Sequence, residues 1–366
     1  MKKTLKAAAA VAALASPATA ANLENPLYMP KSGEVYSKTS AGMMYKKAND
    51  NLAMQAKEHA GAIEFPIWRI SEDIGVGLAD WLTLRGSFGY THDNDIDRSG
   101  MHNGRLGLNF RVFDGTEFVD GWVWDIYFDA HLGGVSKMKA ELVMSPNMAM
   151  VADGSYPLSF NYDNYSNGRW GAWLGTQVGK TFDNLTVAAF GEVLHTFGSN
   201  YNEIRIGNGV DTIVSGMLLA EGYGALIPSY VAGLPKTFSV FTDSTWEYSA
   251  GLKALYEIDD DWSVGGSFTY KHRAENTIEG VSLKNSSTTP SAGVVAGITA
   301  GIADSFIGPM QDAIDEYILA AVIARQLTET VQVAVYGEYT FDDAQAKSQN
   351  GTDVKWELGA RLNLRF

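Results

Sequence analysis

Apolar and polar residues alternate one for one along much of this chain. "LTLRGSFGY" sets Leu82, Leu84, Phe88 and Tyr90 against Thr83, Arg85 and Ser87. "WVWDIYFDAHL" sets Trp122, Trp124, Ile126, Phe128, Ala130 and Leu132 against Asp125, Asp129 and His131. "RLGLNFRV", "WSVGGSFTYKHR", "TVQVAVYGEYTF" and the closing "VKWELGARLNLRF" keep the same rule. A period of two sustained over about ten residues predicts a strand with one apolar face. In water such strands would build a sandwich or a ligand-binding barrel, so the connections must decide.

Tight and long connections alternate. The tight ones are "LADW" near Asp80, "DGTEFVD" from Asp114, "FDN" from Phe182, "DDD" from Asp259 and "LTET" from Leu327. The long ones fall near 46–62, 92–103, 133–168, 198–244, 274–312 and 342–352. Eleven connections imply twelve strands, with both chain ends on the tight-turn side. Short turns at one end, long loops at the other and strands of about ten residues describe a transmembrane antiparallel barrel. Such a sheet must close, because an unpaired strand edge has no water to bond in lipid. Trp122, Trp262 and Phe366 fall at the tight-turn ends of strands, and Tyr90, Tyr270, Tyr339 and Phe341 near the other ends, as two interfacial girdles would require.

Composition narrows the setting. "MKKTLKAAAAVAALASPATA" has a positive start, a short apolar core and Ala18-Thr19-Ala20 as a small-x-small site, which reads as a cleaved secretory signal over residues 1–20. Residues 21–33 then read as a periplasmic N-terminal extension and 34–366 as the barrel. Removing the three lysines of the signal takes the net charge from −14 to −17. That acidity excludes a nucleic-acid partner, which needs a basic face. Zero cysteines exclude a disulfide framework and a thiolate metal site.

The final strand carries a resemblance. With Phe366 at the terminus and Leu358, Leu362 and Leu364 on one face, the chain resembles the Gram-negative outer-membrane β-barrel superfamily. The resemblance implies an outer-membrane location among lipids and lipopolysaccharide. It also implies that the barrel-assembly machinery reads Phe366 as its signal. It names no particular channel family and leaves function open.

Three stretches resist the scheme. The first strand, near "EVYSKTSAGMMYKK", alternates poorly. Glu72 falls on the apolar face of "IWRISEDIGVGL", where a bulge would reset the parity. In "GPMQDAIDEYILAAVIARQL", Met310, Ala313, Ile314 and Tyr317 have helical spacing, predicting a short helix before a strand from about Asp315.

With the apolar set outward, the inward set comprises Lys38, Arg69, Asp73, Arg85, Arg105, Arg111, Asp125, Asp129, Glu192, Lys253, Glu257, Lys271, Arg273, Glu338, Lys355, Glu357, Arg361 and Arg365. Twelve strands lie between the eight that side chains fill and the sixteen or more of open porins. These mixed charges therefore either face a wet pore or pair into a lattice that closes it. The first reading is a channel passing small hydrophilic solutes, with no cofactor. The second is a barrel capped by its apolar loops 211–234 and 291–309 that binds or takes up an apolar ligand, or makes surface contacts. Asp93, Asp95 and Asp97 alternate like the start of a calcium loop, but its twelfth position is Gly104 instead of Glu, which leaves them weak cation candidates. Asp93-x-Asp95 with Asp129-x-His131 looks somewhat like the acid and Asp-His pairs of omptin proteases. It departs from them in strand number and in the placing of the Asp-x-His pair.

Overall fold

The computed structural model describes residues 22–48, 67–93, 98–115, 121–133, 135–144, 158–167, 170–197, 200–206, 225, 237–275, 278–284, 313–342 and 352–366. Seventeen strands lie within them. They are β1 (Val35–Ala48), β2 (Ile67–Ala79), β3 (Leu82–Asp93), β4 (Arg98–Asp114), β5 (Trp122–Leu132), β6 (Val135–Met144), β7 (Leu158–Asn167), β8 (Gly171–Phe182) and β9 (Leu185–Thr196). The remainder are β10 (Asn200–Ile206), β11 (Thr237–Thr242), β12 (Thr245–Glu257), β13 (Trp262–Arg273), β14 (Ile278–Lys284), β15 (Ile314–Thr328), β16 (Val331–Asp342) and β17 (Thr352–Arg365).

Twelve of these close a barrel of antiparallel neighbours. The ring runs β1-β2-β3-β4-β5-β8-β9-β12-β13-β15-β16-β17. It returns to β1 through a ladder from Tyr36↔Arg365 to Ala48↔Thr352. Beyond the last strand, Phe366 and Val35 exchange both backbone hydrogen bonds, at 2.8 and 2.9 Å. The twelve strands and tight turns expected from the alternation are present.

The other five strands were not legible as alternation. They sit inside three of the long connections and pair as β6-β7-β10-β11-β14. β6 also joins β4 at Ser99–Met101. The long-loop rim is thus raised into a wall over half the ring. The link expected over 92–103 is much shorter, since β3 runs to Asp93 and β4 starts at Arg98. The helix expected around Met310–Tyr317 is corrected in part: Ile314 already begins β15, where pairing with β13 outweighs the local helical spacing. Met310 and the apolar stretches 211–234 (apart from Ala225) and 291–309 lie outside the described residues.

The exterior is apolar all round. Trp68, Leu84, Phe88, Trp124, Phe128, Leu174, Leu252, Phe268, Ile323, Val335 and Leu358 are all exposed. A soluble protein does not leave such a belt in water, so this surface is lipid-facing. Trp81, Trp122, Tyr256 and Trp262 ring the short-turn end, and Trp68, Tyr90, Trp246, Tyr248, Tyr339 and Trp356 the other. Bulges at Gly77/Ala79, Arg111/Phe113 and Gln326/Thr328 reset parity near short turns. That is why both Val112 and Phe113 face outward.

No such bulge rescues Glu72. Its register against β1 is unbroken, and Thr39↔Glu72 lies on the same face as the outward pairs of Ala41 and Ile70. The carboxyl instead accepts the hydroxyls of Ser37 and Thr39, each at 2.5 Å. The polar "Ser-x-Thr" that spoils the alternation of β1 is therefore the partner of the misplaced acid. Glu72→Gln keeps a partner for both hydroxyls without an ionisable group, and the heat resistance of the folded band on gels should hold or rise. Ser37→Ala with Thr39→Ala strands the carboxyl and should lower unfolding stability by about 1–3 kcal/mol in urea titrations.

Candidate functional site: the lumen and its floor

The floor of the lumen is made by the segment read as an N-terminal extension. Asn22 and Asn25 each fold it locally, because their side-chain oxygens accept the Glu24 N–H (3.1 Å) and the Leu27 N–H (2.8 Å). Backbone bonds Asn25 N to Asn22 O and Tyr28 N to Asn25 O complete two successive turns. Leu23, Leu27 and Met29 are buried, Leu27 against Val123 and Ala188 of the wall. The segment leaves along the wall at Gly77, whose N–H and C=O bond Glu34 and Gly33. A Cβ on Gly77 would strike the Lys31 carbonyl, so only glycine permits this approach. Gly33, at φ +83°, turns the chain into β1.

Polar bonds tie this floor to seven strands. Asn22 donates to Glu257 of β12 and accepts from Gln332 of β16. Asn25 donates to Thr186 of β9, Gln177 of β8 donates to the Pro26 carbonyl, and Arg111 of β4 donates to the Leu27 carbonyl. Lys38 of β1 donates to the Leu23 carbonyl at 2.5 Å. The strongest knot is Glu24. It accepts Arg361 Nη1 at 2.8 and 3.0 Å and Asn363 Nδ2 at 2.8 Å, both from β17.

Above the floor lies a cavity of about 610 Å³. It is lined by Lys38, Arg69, Asp73, Arg85, Arg105, Asp125, Glu192, Lys253, Glu338, Glu357 and Arg361, all of them residues singled out for the lumen. Several of its charges meet in pairs. Arg85 clamps Asp129 with Nε at 2.9 Å and Nη2 at 2.5 Å; Arg111 Nε reaches Asp125 at 2.9 Å; Arg69 reaches Glu357 at 3.3 Å. Higher up, Lys271 bridges Glu247 at 2.9 Å and Glu316 at 3.9 Å. Arg273 faces Glu247 across the β12–β13 ladder. The Lys355 side chain lies outside the described residues. Tyr36, Tyr127 and Tyr336 lie flat over Gly75, Gly175 and Gly359 of neighbouring strands, which keeps their rings against the wall and out of the passage.

The charges are unevenly spread. Between Lys271 and the short turns, the β13 and β15 side presents Gly265, Ser267, Ala320 and Val322 to the cavity, with no ionisable group. Lumenal residues that alternation could not rank are Glu24, Tyr28, Trp173 and Asn363. Only the "Asn-x-x-Asn-Pro" spacing of the floor hinted at local turns.

The acid candidates separate. Asp95 and Asp97 lie outside the described residues, as does the side chain of Asp93. Asp129 and His131 do face the lumen together, but Asp129 is held by Arg85, and His131 Nδ1 has no hydrogen-bond partner among the described residues. Among those residues no three His, Asp or Glu side chains converge to hold a metal ion.

No protein-family model matches this chain, and no curated protein matches it in sequence. Among solved structures it is similar to the COG4313 outer membrane channel from Pseudomonas putida F1, at 13% identity and a TM-score of 0.44, over 94% of this chain and 99% of that one. It is similar to a Pseudomonas aeruginosa FadL homologue at 11% identity and 0.46, over 94% and 92%. It is also similar to the translocator domain of autotransporter NalP from Neisseria meningitidis at 9% and 0.46, over 91% and 87%. With TM-scores below 0.5, none of them bears on what this chain does.

Burial alone would raise the Glu24 carboxyl, but Lys38, Arg361 and Asn363 outweigh it and hold its pKa below the ordinary value. A depressed pKa means that this anchor is fully present above the ordinary carboxylate range and is lost as pH falls through the lowered value. The floor should therefore loosen as pH falls below the ordinary carboxylate range. Protease cleavage of the segment in folded protein should rise on acidification. Glu24→Gln should show that susceptibility already at neutral pH, with a smaller further increase in acid.

Proposed function

We propose that this chain is an outer-membrane channel for small hydrophilic solutes, closed at its periplasmic end by residues 22–33. One observation carries the reading: a polar, ion-paired cavity stands above a floor made from a segment that belongs to no strand. The floor is held by hydrogen bonds and one charged knot rather than by a sheet ladder, so it can leave without breaking the barrel. The apolar belt supports a place in a membrane, and short turns mark the periplasmic side of such barrels. Charges of both signs on the wall, several of them already paired, make the passage wet and suit it to small polar solutes. The surroundings in this reading are outer-membrane lipid and lipopolysaccharide. Phe366, seated where the ring closes, is the residue that the assembly machinery would read.

A second reading is favoured by the uncharged β13–β15 side. A barrel that takes up an apolar ligand would use that strip as its track.

Planar bilayers separate the two. The mature chain should give small or rare ion currents, and a chain lacking residues 22–31 should give steady currents several-fold larger. If neither chain conducts although both migrate as folded barrels, the channel reading falls. Uptake of an apolar dye into vesicles without ion current would favour the second.

A further inference from the structure

Arg105 stands apart from the other arginines that line the cavity. Arg69, Arg85 and Arg361 each meet a carboxylate at salt-bridge distance, and Arg105 meets none among the described residues. Its guanidinium instead lies on the face of Trp173, 3.5 Å from the ring centroid. Stacking holds an arginine in place while leaving its edge donors unfilled. Two buried polar atoms beside it are also unfilled. Among the described residues, Trp173 Nε1 and His131 Nδ1 have no hydrogen-bond partner, though the side chains are only 7% and 5% exposed and their rings lie 6.3 Å apart. Buried polar atoms without partners are costly, and their gathering beside an unpaired guanidinium on three adjacent strands points to a missing acceptor.

The space beside Arg105 fits an acceptor that carries negative charge. A cavity of about 140 Å³ is bounded by Lys38, Arg85 and Arg105 against the single carboxylate Asp73. Arg85 is already neutralised by Asp129 and Lys38 faces Glu24 of the floor, so Arg105 is the cation left to attract a solute. The larger cavity that Arg105 also lines includes the uncharged β13–β15 strip. A carboxylate at Arg105 would leave the rest of a small organic acid facing that strip.

We propose that Arg105, with Trp173 and His131, forms a recognition subsite for the carboxylate of small organic acids passing through the lumen. This rests on the channel reading and names its solute class. A planar carboxylate matches the guanidinium fork, and the indole N–H supplies a further donor. Among the arginines that line the cavity, the pairing of the other three leaves Arg105 as the one with an open fork.

Calorimetric titration of the detergent-folded mature chain with sodium benzoate tests this, with benzyl alcohol as the uncharged comparison. Saturable benzoate binding is expected, with benzyl alcohol much weaker. Arg105→Gln should weaken benzoate by about tenfold or more. Trp173→Phe keeps the stacking ring and removes only the N–H, so it should cost several-fold in affinity. It also keeps the test open if the arginine variant does not migrate as a folded barrel. Equal binding of benzyl alcohol, no saturable benzoate binding, or benzoate affinity unmoved in the folded variants would overturn the proposal. Benzoate binding without ion current from either the mature or the shortened chain would instead remove the channel reading and leave the subsite standing.

Discussion

The ladder between β1 and β17 is the contact on which everything else rests. Each other pair of neighbours could form in an open sheet; only this one removes the last row of unpaired N–H and C=O groups. In lipid each such group left unpaired costs several kcal/mol, far more than any single side-chain contact in the lumen supplies. The closing register also fixes the facing of every strand around the ring. Arg361 and Asn363 on β17 and Lys38 on β1 come together beneath it, and there the floor finds its charged knot. Location, lumen and plug thus share one origin.

Inside, pairing is the rule because a narrow lumen leaves little water to solvate bare charges. Arg111 over Asp125 on the next strand, and Arg85 over Asp129 two strands away across Gly107, fix side chains against the wall, and the tyrosines laid over glycines do the same without charge. The space that remains is therefore defined by what has been pulled out of it. Arg105 departs from this rule, since an aromatic face holds it and an ion does not.

Much of the barrel was legible because lipid on one side and polar lumen on the other impose strict alternation. "WVWDIYFDAHL" can be read residue by residue into an outward tryptophan and phenylalanine and inward Asp125, Asp129 and His131. Legibility ends where that double environment ends. β6, β7, β10, β11 and β14 rise beyond the apolar belt, so nothing forces period two on them, and they were read as loops. Glu72 was misjudged because parity was trusted to move it inward, whereas two hydroxyls on the next strand let it stay. The floor was invisible for a different cause: "NLENPLYMP" has no periodicity, and its partners lie on seven strands that no local pattern connects to it. The lumen charges could be counted in advance, but their pairing depends on register, which alternation does not give.

The distance along the chain between the floor and its anchors orders events in time. Glu24 meets Arg361, and Asn22 meets Gln332, across 337 and 310 residues of sequence. Contacts of such separation form late, after the intervening strands have met. Those anchors exist as one surface only when the ring has closed, yet by then the segment must already lie within it. A nascent barrel therefore passes through a stage in which residues 22–33 are enclosed but unattached, and the lumen has walls before it has a floor.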